Sequence, residues 1–150
     1  MVKESKTSRK FIYKTTVTWD REKRGFLNSP GKQTIEIGTP LEFNGHKGVW
    51  SPEDLFVASV NACIKTTFLY YAQKENLDFL SYESEAEGIL ERRENKFMFS
   101  SVTVMPKIVI ASASQAPRAG ELFDLAEKNC LISHSIVAKV TVTPDIRTRE

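Results

Sequence analysis

Ser51-Pro52-Glu53-Asp54-Leu55-Phe56-Val57-Ala58-Ser59-Val60-Asn61-Ala62-Cys63-Ile64 is a helix start followed by an apolar run, and the rest of the chain is organised around it. Ser51 suits the N-cap, where a side-chain oxygen accepts from the orphan N–H groups of the first turn. Pro52 suits the first helical position, and Asp54 completes a capping-box-like spacing. Beyond these, Leu55, Phe56, Val57, Ala58, Val60, Ala62 and Ile64 leave almost no polar face. That half predicts a helix lying in the middle of the molecule. Gln73, Lys74 and Glu75 then turn polar, which predicts a long helix reaching solvent and ending near Asn76.

Upstream, Phe11 to Thr18 alternates apolar and polar residues and predicts a strand, ending in the charged turn Asp20 to Arg24. Gln33 to Ile37 alternates again, whereas Phe43 to Trp50, with Asn44-Gly45 and Gly48, predicts turn or loop. Downstream, Ser81 to Arg92 and Lys96 to Ile110 predict two strands joined as a hairpin at Glu94-Asn95. Pro117 opens a second helix carrying Leu122, Phe123, Leu125 and Ala126, ending near Asn129. Ile136 to Thr143 predicts a last strand. With no repeat, linker or low-complexity tract, the expectation is one α+β domain over 1–150.

At 150 residues, 41% hydrophobic and 27% charged, the composition is that of a soluble globular chain with a real core. A net charge of +2, from 21 basic and 19 acidic residues, argues for no nucleic-acid partner. Met1 to Arg9 is basic without an apolar core behind it, so no leader is expected. No uninterrupted apolar segment approaches the ~18 residues of a membrane span. A cytoplasmic protein with no membrane partner is therefore expected, and there a two-cysteine set is more often catalytic or redox-active than a structural staple.

Cys63 and Cys130 are the only cysteines. Cys130-Leu131-Ile132-Ser133-His134-Ser135 looks like the opening of another short helix. Two thiols this far apart, each built into an ordered element, suggest a pair that the fold brings together. A zinc site from Cys63, Cys130, His134 and His46 is disfavoured, because no CxxC or HxxxH spacing supports it. Tyr70, Tyr71, Phe97 and Phe99 read as core or interface rather than as a base-stacking platform.

Ser51-Pro52-Glu53-Asp54-Leu55, Ala62-Cys63 and Cys130-Leu131-Ile132-Ser133 together resemble the OsmC/Ohr superfamily of thiol-dependent hydroperoxide reductases, over nearly the whole chain. The resemblance implies antiparallel sheets wrapped around a long central helix, in an intertwined homodimer with active sites at the subunit interface. It also implies that Cys63 attacks an organic hydroperoxide, that Cys130 resolves it as a disulfide, and that Glu53 is the carboxylate of an Arg–Glu pair. The arginine is Arg21 or Arg24. A dithiol of lipoyl type would be the reductant, no cofactor or metal is implied, and the role is defence against oxidative stress. The family's other arginine position, just before the Pro-Glu helix, is Leu41-Glu42-Phe43-Asn44 here and holds none. That departure leaves an alternative, a non-catalytic dimeric binding or stress protein.

The residues bear on this chemistry directly. The thiolate is the nucleophile, and burial in an apolar helix would raise the Cys63 pKa, so a reactive Cys63 calls for a cation nearby. A guanidinium also polarises the peroxide and supports the leaving alkoxide. Cys130, at the start of a short helix, is expected to gain anion stabilisation from the dipole. Ten residues at 1.5 Å each place Glu53 about 15 Å from Cys63 on one straight helix. Glu53 is thus expected to serve the site of a partner subunit. Phe56, Val60, Phe68, Phe123 and Leu131 are expected to give Cys63 apolar surroundings that favour organic hydroperoxides over hydrogen peroxide.

Overall fold

The computed structural model describes residues 8–149, so most of the basic stretch from Met1, read above as lacking a leader, lies outside the described residues. The chain divides into two compact units, Met1–Pro52 and Glu53–Glu150.

The first unit holds a three-stranded antiparallel sheet in the order β1 (Thr16–Trp19), β2 (Arg24–Asn28), β3 (Ile35–Gly38). The charged turn expected at Asp20 is there, closed by Arg24 N–H donating to the Arg21 carbonyl at 2.9 Å. Trp19 Nε1 caps it by donating to the Glu22 carbonyl at 2.9 Å. The first strand begins at Thr16 rather than Phe11, and β2 has no counterpart in the sequence reading. Arg24, Gly25 and Asn28 break its alternation, and it is held by pairing on both sides. Gly25 is required there, since a Cβ would come within 2.3 Å of the Thr18 carbonyl oxygen.

The second unit is built on α1 (Pro52–Lys74), 23 residues that begin at the expected proline and stop two short of Asn76. Val60, Ile64, Phe68 and Ala72 recur every fourth residue and are the buried side of the helix. They face β4 (Phe79–Arg93) and β5 (Lys96–Ile110), a hairpin of two 15-residue strands whose tip is the predicted Glu94-Asn95, both left-handed at φ 49° and 63°. The helix lies along β4. Phe68 meets Phe79 and Tyr82 at ring separations of 6.0 and 5.7 Å, Asn61 meets Ser84, and Val57 crosses Gly88. α2 (Ala116–Asn129) completes the core by stacking Phe123 on Phe68 at 4.1 Å. α3 (Leu131–His134), β6 (Lys139–Val142) and β7 (Asp145–Thr148) follow.

β6 and β7 both pair with β5 in parallel, so this sheet is mixed and not antiparallel throughout as the resemblance implied. The chain leaves β5 through α2 and α3 before returning to its edge, and such a crossover delivers a strand running the same way. By length and composition alone α1 is long and apolar enough to cross a membrane, although Asn61 and Lys65 interrupt its apolar run. Only 22% of its apolar window is buried within the single chain.

Candidate active site

The α2–α3 junction brings Cys130 to α1. Cys130 ends α2 in extended geometry (φ −66°, ψ 117°) and serves as N-cap of α3, its Sγ accepting from Ser133 N–H at 3.5 Å. Its side chain is fully buried. Cys63 lies one position before the buried Ile64 and is therefore only half-buried, at the edge of the core face. The fold brings the two thiols, 67 positions apart in the chain, close enough for each to shift the other's ionisation.

Their environments drive them apart electrostatically. Burial pushes the Cys63 thiol up, but hydrogen bonds from the Cys130 thiol, the Ile132 N–H, the Thr67 hydroxyl and the Leu131 N–H outweigh it. Its pKa falls below that of an ordinary thiol. Burial pushes the Cys130 thiol up, and donating to Cys63 holds its proton further, so its pKa rises despite the bond from Ser133. Of the pair, Cys63 is the thiol that gives up its proton more readily and Cys130 the one that holds it. The dipole stabilisation expected at Cys130 is overturned, because α3 is only four residues long and burial dominates.

The donors that lower Cys63 all belong to Glu53–Glu150 and none is a guanidinium. Arg21 is 69% exposed and stands 3.8 Å from Asp20 in the solvated turn. Arg24 is better sheltered, at 24% exposure, and pairs with Glu36 at 3.1 Å while its Nε is buried with no hydrogen-bond partner. Glu53 keeps the helical separation from Cys63, since α1 runs unbroken between them, and its Oε2 is buried without a hydrogen-bond partner. Phe68 and Phe123 stack on each other in the core against which Cys63 packs, and Leu131 is 75% exposed.

Two features of the site were not read from the sequence. Thr67 Oγ1 lies 3.9 Å from Cys63 Sγ, a contact that i,i+4 spacing on a helix could have flagged. Thr66, Thr67, Tyr70, Tyr71, Asn129 and Leu131 line a groove of about 310 Å³ beside it. The groove pairs the α1 flank with the α2–α3 junction, and no local pattern announces that. Among the described residues no three His, Cys, Asp or Glu side chains form a metal-binding cluster. His134 Nε2 bonds to the Lys128 carbonyl at 2.7 Å, and His46 Nε2 lies 3.4 Å from Glu22.

No curated protein matches the chain. Among solved structures, it is similar to an OsmC-like protein of unknown function from Vibrio cholerae, with a TM-score of 0.83 and 22% identity, over 90% of this chain and 99% of that one. It is similar also to an organic hydroperoxide resistance protein from Elizabethkingia anophelis, with a TM-score of 0.73 and 18% identity, over 95% and 100%. A third is an organic hydroperoxide resistance protein from Legionella pneumophila, with a TM-score of 0.67 and 23% identity, over 92% and 99%. At such identities the likeness speaks for the α+β fold. The model of the family described as OsmC-like protein matches residues 45–145, two thirds of the sequence, and the chain belongs to that family.

Proposed function

We propose that this protein is a thiol-dependent peroxidase that reduces organic hydroperoxides in defence against oxidative stress, in the cytoplasm, with 1–150 acting as one domain. One juxtaposition carries the reading: the fold brings two distant cysteines together, one partly open in surroundings that ease its ionisation and the other buried in surroundings that oppose it. That is the division of labour a nucleophile and a resolving thiol need. The Cys63 thiolate attacks the terminal peroxide oxygen, the O–O bond breaks, and the alkoxide takes a proton to leave as alcohol. Cys63 is then a sulfenic acid. Cys130 attacks its sulfur, water leaves, and the Cys63–Cys130 disulfide forms. A dithiol of lipoyl type restores both thiols. The similar Elizabethkingia and Legionella proteins are named organic hydroperoxide resistance proteins, which agrees with this reading.

The working form we propose is an intertwined homodimer wrapped around the long helix, with sites at the subunit interface. Only 22% of the apolar window of α1 is fully buried in one chain, most of the rest being partly covered, and β1 is exposed along its whole length, with Val17 61% and Trp19 77% exposed. In that assembly Glu53, too far along α1 to reach its own Cys63, aims the arginine of the partner subunit's site. Arg24 is the better candidate of the two arginines, being the sheltered one.

The Cys63→Ser variant is expected to lose all hydroperoxide consumption, and Cys130→Ser to manage one turnover. Undiminished consumption by Cys63→Ser would end the reading. A non-catalytic binding or stress protein is the second reading. It draws on the ion pairs that Arg21 makes with Asp20 and Arg24 Nη1 with Glu36, each of which gives the guanidinium a carboxylate other than Glu53. Wild-type protein that consumes no cumene hydroperoxide would favour it.

A further inference from the structure

A disulfide can be reopened at either sulfur, and the two sulfurs here are not equivalent. Resting on the redox-pair reading above, we infer that the reducing thiol enters through the groove formed by Thr66, Thr67, Tyr70, Tyr71, Asn129 and Leu131. There it attacks Cys63 Sγ and expels Cys130.

Electronics and access oppose one another at this bond. Thiol–disulfide exchange is faster when the departing thiol has the lower pKa. Cys63 is that thiol, so electronics alone would direct attack to Cys130. Yet Cys130 is fully buried within the core cluster, while Cys63 is partly open. A sulfur with no accessible surface meets no nucleophile, and access therefore decides.

The groove is the approach because its walls are the surroundings of Cys63. Thr67 lines it and sits 3.9 Å from Cys63 Sγ. Thr66 lines it and donates to the Cys63 carbonyl at 3.1 Å. Leu131 lines it with an exposed side chain while its N–H reaches Cys63. A volume of about 310 Å³ admits a small thiol and falls at the lower end of small-molecule sites.

The exchange balances as follows. A thiolate of the reductant bonds to Cys63 Sγ, the S–S bond breaks, and its electron pair goes to Cys130 Sγ, which takes up a proton. The second thiol of a dithiol then attacks the reductant's sulfur in the mixed disulfide and releases the Cys63 thiolate. The reductant leaves as a cyclic disulfide, oxidised by two electrons. Cys130 stays beside Cys63 throughout, so a monothiol is ejected again when Cys130 recloses the bond.

The test forms the disulfide with diamide, which makes it independent of hydroperoxide turnover. Oxidised protein is mixed briefly with 2-mercaptoethanol, quenched in acid, alkylated with N-ethylmaleimide and mapped by mass spectrometry. Mercaptoethanol on the Cys63 peptide with maleimide on the Cys130 peptide is expected. The reverse pattern, an even split, or no disulfide with diamide would each overturn the inference. Thr66 and Leu131 are exposed, so Thr66→Trp and, separately, Leu131→Trp fill the groove from its outer side. Each should slow reduction of the diamide-formed disulfide by dithiothreitol, because the exchange rate depends on access to the attacked sulfur. Unchanged rates in both would overturn the groove as the route. Failure of the peroxidase reading would show separately, as absent hydroperoxide consumption alongside an intact mapping result.

Discussion

Thr67 Oγ1 stands 3.9 Å from Cys63 Sγ, one helical turn further along α1, and shares a hydrogen bond with the sulfur that the fold leaves partly open, an interaction that favours its ionised form. The same turn exposes Cys63 to the α2–α3 junction, whose backbone N–H groups supply further donors. Hydrogen bonds within this unit thus outweigh the burial that opposes ionisation of Cys63. The cation that burial called for is not what lowers Cys63 within this unit.

Replacing Thr67 with Val keeps the shape and removes the donor. One hydrogen bond to a charged group is worth about 1.5–3 kcal/mol at most, less at a long sulfur contact. Alkylation of Cys63 by iodoacetamide at pH 7 should fall a few-fold, with the folded structure unchanged by circular dichroism. Equal rates in the two proteins would show that Thr67 does not tune the thiol.

The opposite shifts of the two thiols set a pH dependence of definite sign. Cys63 is lowered, so its contribution to stability is present above the ordinary thiol pKa and is lost as pH falls through its lowered value. Cys130 is raised, so its contribution is present below the ordinary value and is lost as pH rises through its raised one. In reactivity, iodoacetamide titrated from acid upward should label Cys63 first, beginning below the range of a free thiol. Labelling of Cys130 before Cys63 would contradict the assignment.

Gly88 lets α1 settle onto the hairpin. A Cβ there would meet Val57 Cγ2 at 2.5 Å and Phe99 Cε1 at 3.0 Å, and Phe99 is itself stacked on Phe56 at 4.5 Å. Gly88→Ala should therefore destabilise the protein by about 1–3 kcal/mol, the cost of overpacking, read as a lower denaturant midpoint. An unchanged midpoint would mean that the helix and hairpin have slack between them.

The two arginines should separate by activity. Arg24 is sheltered and its Nε is buried without a hydrogen-bond partner, whereas Arg21 is mostly solvated. Arg24→Met should lower kcat/KM for cumene hydroperoxide by roughly a hundredfold, the scale of losing one transition-state donor, and Arg21→Met should change it little. A larger loss with Arg21→Met would reverse the choice.

Much of the second unit could be read from residues alone. Lys96–Ile110 is a long run rich in Val, Ile and Phe with one turn signal before it, and the strand has those bounds. Pro52 and Cys130 mark helix starts through cap chemistry, which is local. β2 and β7 could not be read this way. Arg24-Gly25 and Asp145-Ile146-Arg147-Thr148 carry little apolar pattern, and pairing with neighbours makes them strands. The site divides along the same line. That Cys63 and Cys130 belong together was legible, but which of them is sealed depends on one position of helical phase, Ile64 inward and Cys63 at the edge. The N–H donors of Leu131 and Ile132 come from backbone, on which side-chain identity is silent.

The most direct test of the redox pair is a thiol titration before and after one equivalent of cumene hydroperoxide, under denaturing conditions to expose Cys130. The wild-type protein should lose both thiols per peroxide consumed and regain them with dithiothreitol, while Cys63→Ser loses none. Two thiols still free in the wild-type protein after the peroxide has been added would contradict the account.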